Sequence, residues 1–229
     1  MYFDPLYLMF MVPGLLLAMI ATAITKSTFA KYSRVAASSG MTGAEAARHM
    51  LDVNNLHDVR VEQTQGFLSD HFDPSANALR LSPQVYQSDS LSAIGVACHE
   101  AGHALQKATG YGPLGLRTAL VPVTQFGSNF SWILLMLGMG MNFPFLVKAG
   151  VMLFAIAVLF TIVTLPVEWD ASARAKRQMV SAGIVTAAEQ SHAASVLNAA
   201  FLTYVAGAVT AILQLLYFLI RSGLLGGRR

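Results

Sequence analysis

Four runs of apolar residues constrain this chain more than any other feature, because each is about as long as a helix must be to cross a bilayer. They are Pro5 to Ile24, Ala119 to Gly140, Phe145 to Leu165 and Ala199 to Ile220, and roughly twenty residues cover a hydrocarbon layer of about 30 Å. Inside such a layer the backbone must satisfy its own polar groups, so the runs predict helices. Only Met141-Asn142-Phe143-Pro144 separates the second run from the third, which predicts a transmembrane hairpin. Composition agrees: 55% of residues are hydrophobic and 12% charged, with a mean hydropathy of +0.53, a profile of membrane proteins. Asp4 precedes the first run with no Lys or Arg, whereas a cleaved signal peptide opens with a positive region. The first run is therefore expected to stay as an anchor.

Fifteen Lys and Arg against twelve Asp and Glu give a net charge of +3. No basic cluster is interleaved with aromatic residues, so nucleic acid is excluded as a partner and anionic lipid is favoured. Lys26, Lys31, Arg34, Lys107, Arg117, Arg174, Lys176 and Arg177 all fall on one side of the four expected spans, which predicts a cytoplasmic location for that side. Arg221, Arg228 and Arg229 fall on the other side and run against the rule. The single cysteine, Cys98, excludes an internal disulfide and a Cys-x-x-Cys knuckle; it reads as a small buried thiol.

Between the first two spans the composition turns mixed. Thr42-Gly43-Ala44-Glu45 has capping-box spacing and predicts a helix from Gly43 to about Val53, ended by Asn54-Asn55. VRVEQ (59–63), GFLSDHF (66–72) and ALRLS (78–82) alternate in part and are separated by turn residues, which predicts a small antiparallel sheet or hairpin set. A helix is expected from about Leu91 to Thr109, capped by Asp89 or Ser90 and stopped by Gly110. Thr186-Ala187-Ala188-Glu189 repeats the capping-box spacing and should start the helix leading into the fourth span.

The Leu91 helix carries Cys98-His99-Glu100-Ala101-Gly102-His103. Residues four apart share a helix face, so His99 and His103 can offer two imidazoles to one metal while Glu100 reaches a water held there. Zinc suits such ligands; with three protein donors it leaves one position for water. Glu100 would act as general base, and Ala101 and Gly102 would leave room for substrate. The bland alternative is a pair of hydrogen-bonded helix histidines with no metal. A metzincin is excluded by Gln106 and Thr109, which stand where it would need glycine and histidine, so the third ligand must be distant in sequence. Glu168 in PVEWDASARA is the candidate, because a hairpin of two spans returns the chain to the membrane face it left; it is expected to begin a helix there. Its bland reading is a carboxylate complementing a helix N-terminus. His71 reads as a turn histidine bonded to Asp70 or Asp73, and His49, His57 and His192 have no partners at metal spacing. Tyr204 and Asn198 read as packing or capping residues.

KYSRVAASSGMTGAEAARHML, DHFDP, ACHEAGHALQ, YGPLGLR, LPVEWDAS and LNAAFLTYVAGA together resemble the YugP-type family of neutral zinc metallopeptidases of bacterial membranes, over nearly the whole chain. The resemblance implies Zn2+ held by His99, His103 and Glu168, with Glu100 catalytic. A looser likeness to the HtpX-type membrane proteases implies an aspartate four residues past the ligand glutamate. This chain has Ser172 there and Asp170 two residues on, so which group orients a histidine stays open.

The fold class expected is an α+β membrane protein, with about four transmembrane helices and a small zincin-like domain of helices and antiparallel strands. Residues 1–25 would be the anchor, 26–118 the soluble zincin-like domain, 119–165 the hairpin, 166–198 interfacial helices with the third-ligand segment, and 199–229 the last span and basic tail. The function expected is a membrane-anchored, gluzincin-like zinc endopeptidase of the bacterial plasma membrane. Its catalytic domain would face the cytoplasm, and it would act on peptides or membrane proteins. An intramembrane protease is disfavoured by Lys107 on the histidine helix and by the lack of a downstream Leu-Asp-Gly. The remaining alternative is a non-catalytic membrane adaptor or assembly factor stabilised by zinc.

Overall fold

The computed structural model describes residues 4–66 and 69–225. The expected strand stretch 66–72 lies partly outside the described residues, as do Arg228 and Arg229. The protein is mostly helical: α1 is Pro5–Tyr32, α2 Gly43–Val53, α3 Pro83–Tyr86, α4 Leu91–Ala108, α5 Gly112–Gly140, α6 Pro144–Ser181 and α7 Ala187–Arg221. Three short strands interrupt them, β1 Arg60–Gln63, β2 His71–Asp73 and β3 Ala78–Leu81. Four helices, α1, α5, α6 and α7, are long and apolar enough to cross a membrane.

The chain divides into two compact units. One takes residues up to Ala21, Gly115–Pro166 and those from Thr203 on. Its core is Leu135, Val151, Phe154, Val158, Tyr217 and Phe218, with Leu6, Phe10 and Met11 packed against them. Apolar residues such as Phe126, Met136, Phe145 and Met152 remain exposed, the surface expected of helices that meet hydrocarbon rather than water. Within this unit Tyr217 donates to Asp4 at 3.0 Å.

The other unit takes Thr22–Leu114 and Val167–Leu202. Its core is built on α2 and α4, with Met50, Leu51, Leu79, Leu81, Leu91 and Ile94 fully buried. Local signals fix its helix ends. Thr42 and Glu45 form the expected capping box; Ser90 caps α4 by accepting from the Ala93 amide; Thr186 and Glu189 reproduce the box at the start of α7. Asn55 and Gly110 adopt the left-handed conformation that stops α2 and α4.

The sheet differs from the expected antiparallel set. Its order is β1-β3-β2, with β2 antiparallel to β3 and β1 parallel to it. The reason is burial. ALRL is the most buried of the three, with only Arg80 partly exposed, and takes the central position, whereas β1 and β2 are half-exposed edges whose Glu62 and Asp73 pair with Arg80. The β2–β3 hairpin thereby inserts its second arm beside β1, and that arm runs the same way as β1.

A second difference bears on the site. The helix expected to begin near Glu168 does not begin there; α6 continues through Pro166, and Glu168 lies well inside it. Proline removes one rung of the backbone ladder, but apolar surroundings keep the remaining bonds strong, and helices of membrane proteins tolerate the gap. Glu168 is therefore no helix-start carboxylate complementing a dipole.

Candidate metal centre

α4 presents His99, Glu100 and His103 on one stripe, and α6 presents Glu168 to it. The Glu168 carboxylate oxygen Oε2 lies 3.1 Å from His99 Nε2 and 3.6 Å from His103 Nε2. The three donor atoms all lie within 4.8 Å of one another. Among the described residues this is the group of histidines and carboxylates able to hold a metal. Two donors about 2.05 Å from one tetrahedral ion stand about 3.4 Å apart, so the observed separations bracket that of a zinc ligand set.

Gly102 makes the approach of α6 possible. A Cβ at this position would meet the Ala171 carbonyl oxygen at 2.6 Å. Its lack of a side chain therefore serves the packing of α4 on α6, not the substrate room expected from the sequence.

The imidazoles are oriented from behind. His103 Nδ1 lies 2.9 Å from Gln106 Oε1, while Gln106 Nε2 donates to the Val167 carbonyl at 2.8 Å and to Asp170 Oδ2 at 2.9 Å. A carbonyl can only accept, so the amide orientation is set and Oε1 must accept from His103 Nδ1–H. The proton is thereby held on Nδ1, and the Nε2 lone pair faces Glu168, the tautomer a metal ligand needs. Gln106 is completely buried, and Asp170 is held in turn by Arg174 Nε at 2.6 Å. For His99, Nδ1 meets Ser172 Oγ at 3.1 Å. Burial pushes the His103 imidazole down, but the neighbouring carboxylates of Glu168 and Glu100 outweigh this and raise its pKa.

Glu100 is buried, and its Oε2 accepts from the Phe72 amide of β2 at 3.0 Å. In an antiparallel pair successive residues point their amides alternately toward and away from the partner, and this bond uses an amide on the open edge of β2, while the Phe72 side chain packs against the core. Glu100 stands outside the group of donors able to hold a metal and is anchored by the Phe72 amide.

The remaining candidates stand apart. Asp170 is engaged by Gln106 and Arg174, and Glu189 by Thr186 and Ser38. Cys98 is buried, and burial pushes its thiol up to about 12, as expected of an inert thiol. His71 Nδ1 meets the Ser69 carbonyl at 2.7 Å and neither Asp70 nor Asp73; those carboxylates are taken by Ser82 and by Ser75, Ala76 and Arg80. His49, His57 and His192 meet Ala182, Asp52 and Tyr32, and Asn198 accepts from Lys176. The sequence reading had not singled out Gln106 or Phe72 as parts of the site. Gln106 carried one legible sign, its place three residues past His103 on the same helix face; nothing in the sequence announced Phe72.

Two histidines and a carboxylate that could hold a metal, in a chain with four membrane-length helices, fit the class of membrane zinc peptidases. Residues 7–223 match the family described as "Putative neutral zinc metallopeptidase", and the chain belongs to that family, whose metal is Zn2+. A relative named "Putative membrane protease YugP", from Bacillus subtilis (strain 168), is 46% identical over 213 residues, covering 93% of this chain and 95% of the relative. No solved structure matches the chain.

Proposed function

We propose that the protein is a membrane-anchored zinc endopeptidase of the gluzincin kind, with His99, His103 and Glu168 as ligands and Glu100 as general base. The observation that carries this reading is the convergence of the three donors with the base beside them and not among them. Zn2+ bound by these residues would supply a Lewis acid that polarises the scissile carbonyl and acidifies a water. Glu100 would accept a proton from a water beside the ligand set and pass it to the leaving amine. The Phe72 amide holds the carboxylate of Glu100 in place, and Gln106 and Ser172 hold the two imidazoles with Nε2 forward. The arrangement of α4 beside a strand edge supports a zincin-like reading of the unit that carries the site. Basic residues flanking the spans support a multi-pass protein of the plasma membrane with this site on the cytoplasmic side, acting on polypeptides that reach the membrane surface.

The test is Glu100→Gln in detergent-purified protein. It should keep about one zinc per chain and lose peptide hydrolysis by several powers of ten, because proton transfer fails while the ligand set stands. Cleavage at the wild-type rate would overturn the mechanism. Wild-type protein that holds zinc and cleaves nothing across a broad peptide pool would point to the adaptor reading instead.

A further inference from the structure

The metal-bearing stripe of α4 does not end at His99. Counting back along the i, i+3, i+4, i+7 pattern that joins His99, Glu100 and His103, its first member is Val96, one turn toward the N-terminus on the same face. Val96 forms a wall of a half-open groove of about 500 Å3. Thr25, Phe29 and Ala30 of α1 and Val196 and Ala200 of α7 form much of the rest. The groove is apolar for a definite reason. Although Thr25 and Ser33 line it, their hydroxyls donate to the carbonyls of Ala199 and Ala30 at 2.8 and 3.0 Å, so they turn methyl and methylene surface inward. The one charge on its lining is the exposed Lys26.

We propose that this groove is the specificity subsite of the peptidase, receiving bulky apolar side chains of a polypeptide next to the bond that is cut. The inference rests on the peptidase reading above. Two observations favour this occupant over a lipid acyl chain. The groove reaches the catalytic face through Val96, one helical turn from His99 and Glu100, within reach of a residue flanking the scissile bond. It also contains little that would hold a headgroup, since only Lys26 is positively charged. A volume of this size, within the range of ordinary ligand pockets, admits more than one large side chain, so the preference is for an apolar stretch and not for one particular residue. The subsite is shaped by the ends of two membrane-length helices, which makes it suited to segments that have left, or have failed to enter, the hydrocarbon layer.

The test uses the full-length Glu100→Gln protein in detergent and two fluorescent decapeptides, one rich in Leu and Phe and one with Ser and Gln at those positions. Binding is read by anisotropy and therefore does not depend on turnover. The apolar peptide should bind at least about tenfold more tightly, the order of discrimination that apolar pockets give. Filling the groove by Ala200→Trp, or independently by Ala30→Trp, should erase that preference while zinc content stays at the parent level. Lys26→Glu should change it less than about twofold, since the contact is apolar. No preference, or a preference that survives both filled variants, overturns the proposal. So does loss of co-purifying phospholipid from Ala200→Trp and Lys26→Glu with peptide preference unchanged, which would make the groove a lipid site. The same peptides given to the wild type separate the two ideas. Groove-dependent binding without cleavage keeps the groove as a site for apolar peptide but removes the peptidase reading and with it the subsite role; cleavage without groove dependence overturns the groove and leaves the peptidase reading.

Discussion

Gly102→Ala is the sharpest test of how the site is assembled, because helix propensity and packing predict opposite signs. In an unobstructed helix, replacing glycine by alanine stabilises by about 1 kcal/mol. At Gly102 the new Cβ would stand 2.6 Å from the Ala171 carbonyl oxygen, whereas ordinary contact begins near 3.4 Å, so α4 and α6 must part locally by about 3.4 − 2.6 = 0.8 Å. Overpacking of this kind costs about 1–3 kcal/mol, which cancels or exceeds the propensity gain. Gly95 supplies an internal control on the same helix: its Cβ would meet the Ala193 carbonyl at 3.4 Å, so Gly95→Ala should be neutral or stabilising. The two variants should differ by about 1–3 kcal/mol, on the order of 5 °C in unfolding midpoint. Zinc gives a second readout. A separation of 0.8 Å is several times the ±0.2 Å or so that metal–ligand distances tolerate, and it falls between the histidine helix and the Glu168 helix. A competition titration against a chelator should therefore show zinc bound at least about tenfold more weakly by Gly102→Ala and unchanged by Gly95→Ala. If Gly102→Ala proves as stable as Gly95→Ala and binds zinc equally well, the claim that this glycine sets the α4–α6 approach is wrong.

Glu168→Ala should cost most of the zinc and Gln106→Leu about 10- to 100-fold in zinc affinity, the usual weight of a group that orients a ligand; equal affinity in either variant would remove that residue from the site. Hydrogen bonds from the Ala76 amide and Arg80 hold the Asp73 carboxyl below its ordinary pKa. Its stabilising effect is thus complete above the unfolded value of about 3.9 and lost as pH falls through the lower folded value. Asp73→Asn should lose less stability than the wild type over that acid window, and parallel acid-unfolding curves would refute this. With the Cys98 thiol pushed up to about 12, an impermeant maleimide applied to intact cells should find no native thiol, should label Asn142→Cys and should spare Lys31→Cys. Labelling at Lys31→Cys would reverse the proposed orientation.

What was legible in the sequence was legible because it is local. Thr42 with Glu45, Ser90 before α4, Thr186 with Glu189 and the stops at Asn55 and Gly110 each depend on groups within a turn of one another, and His99, Glu100 and His103 share a face by helical spacing alone. The sheet was misread because ALRL and VRVEQ carry too short a pattern to tell a hairpin arm from a central strand; burial on both faces decided it. The helix start expected at Glu168 followed from ending the third span at Leu165 and taking the charged segment after it as a separate element; α6 instead runs on through Pro166, a gap in the backbone ladder that apolar surroundings tolerate.

The groups that orient the ligands fell outside any local reading for a related reason: their partners lie far along the chain. Ser172 meets His99 across 73 residues, and Gln106 meets the Val167 carbonyl across 61. Yet Gln106 was open to a physical argument before any partner was known. It stands on the face of α4 that carries His103, and an amide buried there costs several kcal/mol unless all its groups are bonded. A glutamine in that position must therefore find both a donor for its oxygen and acceptors for its nitrogen. The donor at hand one turn away is His103 Nδ1–H, and the acceptors come from the helix that also carries Glu168, so the requirement that buries Gln106 without penalty is the same one that brings the third ligand to the metal.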